Sequence, residues 1–144
     1  MGETRDAVER WTEAFNAHDR DQLHALHAED IEFTAPGDVE LHGAEAVTEY
    51  AMAWLNAFPD STLTDRMTLV DGEWATQQFT FEGTHTDTLA SPQGDIPATN
   101  RRLKGRGCQC TRVQGDKITA VDLYFDQVQV LTQLGLMPEA ATAT

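Results

Sequence analysis

Apolar positions recur at helical spacing near the start of the chain. Val8, Trp11, Ala14 and Phe15 form one stripe, which predicts a helix over residues 4–18 with Thr4 as its cap. Residues 16–19 break it, and a second short helix is expected over 21–28, around Leu23 and Leu26. A short strand over 30–34 follows, with Ile31 and Phe33 on one side, before Pro36, Gly37 and Asp38 turn the chain. Residues 43–58 place Val47, Tyr50, Ala51, Trp54, Leu55 and Phe58 on one face of a longer helix, which Pro59 ends.

The period then falls to two. Strands are expected over 63–70 and 74–85, joined through Asp71-Gly72, and over 101–113 and 118–126, joined through Gly115-Asp116. On the second strand Ala75, Gln77, Phe79, Phe81, Gly83 and His85 share a face. Residues 87–100 form the one long loop, a candidate pocket rim or lid. Pairing Val113 with Ile118 sets Gln109 opposite Asp122 and Gly107 opposite Tyr124, on the face of Asp126. Cys108, Cys110 and Arg112 then face the side of Val121, Leu123 and Phe125. After Asp126 the period returns to helical, with Val128, Val130, Leu131 and Leu134, and Gly135 and Pro138 as the stop. Asp126 sits at that junction. It reads either as the cap of the last helix or as a strand-end carboxylate facing a pocket.

This order of elements is an α+β chain: a curved, mostly antiparallel sheet folded over its helices. The length of 144 residues suits one domain, with residues 140–144 as a frayed tail. Both sheet faces carry apolar residues, so a second copy is expected to cover the outer one, in a homodimer or tetramer. No apolar run approaches a membrane span, and the first residues do not form a signal peptide, so a cytoplasmic protein is expected. A net charge of −14 argues against nucleic acid and anionic membranes as partners. Acid spread along the chain, with only Lys104 and Lys117 as lysines, suggests a high-salt organism. The cysteines, two apart on a strand, read as buried small apolar residues rather than a disulfide or zinc site. His24 and His27 lack a third ligand at helical spacing and read as surface histidines.

Several stretches together resemble the SnoaL-like polyketide cyclase (ester cyclase) family, within the nuclear transport factor 2-like superfamily. They are WTEAFNAHD at 11–19, AFPD at 57–60, VDGEWATQQFTFEGTHT at 70–86, IPATNRR at 96–102 and GDKITAVDLYFDQVQVLTQLGL at 115–136. The resemblance implies a cone-shaped α+β barrel with an apolar pocket open at one end. It also implies an aldol-type ring closure on a polyketide ester, with an Asp as general acid/base and neither metal nor cofactor. The position matching that Asp is Asp126, and the family's GTH histidine falls on His85. Asp87 and Asn100 stand where the family often has glycine, both at the loop that would rim the pocket.

A carboxylate in an apolar cavity has its pKa raised by desolvation, toward the range a base needs. Asp126 beside aromatic walls would meet that need, with Asp122 raising it further by repulsion. His85 would donate a hydrogen bond to the developing enolate oxygen, or else serve as a strand-end residue bonded to backbone. Gln77 and Gln109 are inward amides that either bind substrate or join an internal network. Tyr124 would orient the substrate or form wall, and Phe15, Trp54, Phe79 and Phe81 are core residues of which some line the cavity. The expected ligand is a bulky apolar carbonyl compound. A related hydroxylase or isomerase, or a binding protein without turnover, uses the same residues.

Overall fold

The computed structural model describes residues 2–91 and 94–137; the expected tail and Pro138 lie outside them. The elements are α1 (Gly2–Asn16), α2 (Arg20–Leu26), β1 (His27–Ala35), β2 (Val39–His42), α3 (Ala44–Ala57), β3 (Thr62–Asp71), β4 (Trp74–Thr84), β5 (Arg102–Gln114), β6 (Lys117–Phe125) and α4 (Gln127–Gln133). One six-stranded sheet runs β2-β1-β6-β5-β4-β3. Every neighbouring pair is antiparallel except β1 with β6. The sheet curves around the helices but does not close, so β2 and β3 are edges and the barrel is open.

Helix α1 buries Val8, Ala14 and Phe15 of the expected stripe and Ala7 beside them, while Trp11 is half-buried. Thr4 is not its cap. It is buried within the helix and its Oγ1 donates to the Gly72 carbonyl at 2.7 Å, tying the helix to the β3–β4 turn. The far end is pinned by a reciprocal pair: Asn16 Nδ2 donates to Leu63 O at 2.9 Å, and Leu63 N–H donates to Asn16 Oδ1 at 2.8 Å. The turn after β1 returns the chain as β2, an extra strand paired through Phe33–Leu41 and Ala35–Val39. Four residues are too few to show an alternation in the sequence.

Both expected hairpins form, each closed by a two-residue loop with glycine at positive φ, 62° at Gly72 and 66° at Gly115. The β5–β6 register is where the expectation fails. Val113 does pair with Ile118, but an irregularity beside it leaves Arg112 opposite Ala120. Beyond that bulge every pair slips by one residue. Gln109 therefore faces Leu123, Cys108 faces Tyr124 and Cys110 faces Asp122. The inner face holds Gln109, Val121, Leu123 and Phe125; Asp122, Tyr124 and both half-buried cysteines lie on the outer face. The expected long loop carries a bridge of its own: Leu89 and Ile96 exchange backbone hydrogen bonds at 2.8 and 2.9 Å, and Leu89 is buried.

Candidate functional site

The concave face of the sheet, with α1, α3 and α4 laid across it, frames a cavity of about 100 Å³. Alternation along the strands puts Phe79 and Phe81 of β4 and Phe125 of β6 on its wall, and helical spacing adds Phe15 and Trp54. Trp54 is the hub of that lining, meeting Phe81 and Phe125 edge-on at 5.8 and 5.7 Å. Phe15, Trp54, Phe79 and Phe81, singled out from the sequence, thus all line one space.

Few polar groups enter it. Gln77 and Gln109 are paired across β4 and β5, and both are buried in the wall. Gln109 Nε2 donates to Gln77 Oε1 at 3.0 Å, and Gln77 Nε2 lies 3.2 Å from Thr12 Oγ1 and 3.5 Å from Asp65 Oδ2. The two amides are thus both network and wall. Tyr50 also lines the cavity, and burial pushes its phenol above its ordinary pKa, so it stays neutral.

His27 is the residue that sequence reasoning missed. It is 4 % exposed, not a surface histidine, and its ring forms part of the wall. The Trp11 indole N–H donates to Nε2 at 3.1 Å, so Nδ1 carries the proton and donates to Thr48 Oγ1 at 2.9 Å. Burial lowers its pKa to about 4, with His24 adding a smaller push in the same direction. The imidazole is neutral near pH 7. His27 stands where α2 gives way to β1, and a junction carries no periodic signal of burial. His24, one turn earlier, is exposed beside Glu45 as expected.

The acidic residue expected inside is elsewhere. Asp126 is exposed and is the N-cap of α4, its Oδ1 accepting from Gln129 N–H at 3.1 Å. It borders a second, open hollow of about 450 Å³ on the outer side. That hollow and the cavity share Phe79, Arg106 and Phe125 as walls. Tyr124, 59 % exposed, borders the same outer hollow, and Asp122 accepts from Thr34 Oγ1 at 2.7 Å on the outer face. Neither lines the cavity, because the bulge turned them outward.

His85 is fully buried but lines neither hollow. Its ring stacks on Phe58 with centroids 5.1 Å apart. The Thr99 N–H donates to Nδ1 at 3.3 Å, and Thr99 Oγ1 lies 3.0 Å from the same nitrogen. Nε2 then carries the proton, with no partner among the described residues. Burial lowers the imidazole pKa here too. The strand-end reading, with bonds to a neighbouring segment, describes it better than a place on the cavity wall.

Among the described residues no cluster of three or more His, Cys, Asp or Glu could hold a metal ion, and no helix is long and apolar enough to cross a membrane.

Solved structures share this fold. A proposed SnoaL-like polyketide cyclase from Jannaschia sp. CCS1 superposes with a TM-score of 0.83 at 14 % identity, over 95 % of this chain and 94 % of that one. AclR, a proposed hydroxylase from Streptomyces galilaeus, gives 0.79 at 20 % identity, over 96 % and 99 %. IdmH, a proposed polyketide cyclase from Streptomyces antibioticus, gives 0.75 at 24 % identity, over 92 % and 98 %. At these identities the likeness is one of fold. No curated protein matches the chain in sequence. The profile of one family, SnoaL-like polyketide cyclase, matches residues 5–134, nearly the whole chain, and the chain belongs to that family.

Proposed function

We propose that the protein is a cofactor-independent enzyme that moves a proton on an apolar carbonyl compound, in a cyclase-type, aldol ring closure. The observation that supports this most is the largely aromatic cavity into whose wall the paired amides, Tyr50, a neutral imidazole, Thr111 and Arg106 are set. A site of mostly apolar wall with a few convergent polar groups is the usual form of a small-molecule pocket. At about 100 Å³ the cavity is of the order that takes a single small ring. A larger substrate would seat one ring inside and extend past Phe79 and Phe125 into the outer hollow, where Asp126 would act as the acid/base. The remaining N–H of Gln109 would polarise a carbonyl oxygen bound in the cavity.

One observation favours a second reading, a binding protein without turnover: Asp126 is exposed and engaged in capping its own helix. The test is a ligand screen with aromatic and polyketide-like carbonyl compounds, followed by turnover assays on wild type and Asp126→Asn. Turnover lost in the variant, with ligand binding kept, supports the enzyme reading. Binding with no turnover in either protein supports the second, and unchanged turnover in the variant removes Asp126 from the mechanism.

The assembly we propose is a cytoplasmic homodimer. The exposed Met67, Leu69, Trp74 and Tyr124 on the outer sheet face would form the contact.

A further inference from the structure

The hydrogen bonds around the buried amide pair have a direction, and that direction reaches the cavity. Thr12 Oγ1 gives its proton to the Val8 carbonyl at 3.2 Å, so towards Gln77 it can only accept. Asp65 is a carboxylate and likewise only accepts; Thr68 Oγ1 also donates to it. Both neighbours therefore require the nitrogen of Gln77 on their side, at 3.2 and 3.5 Å. Gln77 must then turn its oxygen to Gln109, and Gln109 must answer with its nitrogen, at 3.0 Å. Gln109 Oε1 is left over. Gln109 is 7 % exposed and lies in the cavity wall, and among the described residues its oxygen accepts no hydrogen bond.

The geometry points to Gln109 Oε1 as a specificity-determining acceptor, fixed by the Asp65/Thr12–Gln77 relay, that selects ligands carrying a buried hydroxyl: a phenol or the enol of a carbonyl compound. This rests on the reading of the cavity as the ligand site and narrows its ligand class. An unpaired acceptor in an apolar space is costly, and so is a ligand hydroxyl buried there without a partner; the two defects cancel when they meet. An apolar cavity lacking such an acceptor would prefer the bare hydrocarbon. Because an exposed carboxylate and a committed hydroxyl set the amide orientation, the selection does not depend on the ligand itself turning the amides.

Phenol and toluene are near-isosteric probes, one with a donor and one without. Isothermal titration of the whole protein should give phenol about tenfold the affinity of toluene, the ordinary worth of one such hydrogen bond. Gln109→Leu should reverse the order while still binding toluene. The double variant Thr12→Val/Asp65→Asn, changed at positions outside the buried pair, should shrink the preference towards parity, because nothing then forbids both amides from turning over. Wild-type protein that binds both probes but favours toluene overturns the inference and leaves the cavity as a binding site. Phenol preference retained in Gln109→Leu overturns it too, and retained in the double variant it overturns the relay. If wild type binds neither probe, the cavity reading falls and the inference falls with it.

Discussion

At the scale of single residues, two side chains carry the account. Asp126 accepts a backbone N–H at the start of α4, a role that Asn fills as well and Ala does not. Asp126→Ala should lose about 1 kcal/mol of stability, whereas Asp126→Asn should melt like wild type. Urea denaturation of the three proteins checks this, and it makes Asn the variant in which lost turnover cannot be ascribed to unfolding. His27 gives a pH dependence. Its folded pKa of about 4 lies below the ordinary 6.5 of a histidine, so between those values the unfolded chain binds more protons than the folded one. Its contribution is fully present above pH 6.5 and is lost as pH falls towards 4, a change on the order of 3 kcal/mol. His27→Gln should flatten the stability–pH curve across that window, while the lowered pKa of His85 leaves a residual slope of the same sign. Equal slopes in variant and wild type would show that His27 is not held neutral by burial.

At the scale of elements, the β4–β5 pairing shapes the cavity through a missing side chain. A Cβ on Gly107 would come within 2.4 Å of Phe79 Cζ and 3.0 Å of the Tyr124 carbonyl. Gly107→Ala should force the Phe79 ring aside, costing about 1–3 kcal/mol and lowering affinity for a small aromatic probe. Denaturation and titration of the one variant measure both effects. Much of this element scale was legible in the chain. Gly72 and Gly115 announce the hairpins because turn chemistry is local, and strict alternation on β4 assigns Gln77, Phe79 and Phe81 to one face. What was not legible depends on partners distant in sequence. The bulge at Arg112–Val113 leaves no mark in composition, yet it turns Asp122 and Tyr124 outward and sets Leu123 opposite the inward Gln109. His27 escaped for a related reason: its burial is set by Trp11 and Thr48, from two other helices. Asp126 was readable as a cap, and its spacing alone could not tell that role from a pocket carboxylate.

At the scale of the whole molecule, a net charge of −14 on 144 residues means self-repulsion that salt screens. The melting temperature should rise with added sodium chloride; a flat or falling response would remove the high-salt reading. On the outer sheet face, Met67 and Leu69 of β3 and Tyr124 of β6 are exposed, and Trp74 of β4 lies in the same face. Sedimentation equilibrium should find a dimer that Leu69→Glu dissociates, and a wild-type monomer would contradict that arrangement. The central claim is that the ligand sits inside, between the helices and the concave sheet. Titration of labelled protein with acetophenone, followed by NMR, tests it most directly. The account predicts saturable shifts in the Gln77 and Gln109 side-chain amides and in the Trp11 and Trp54 indoles. Saturation that leaves those four signals unmoved, with shifts confined to Cys108, Tyr124 and Asp126 on the outer side, would contradict it.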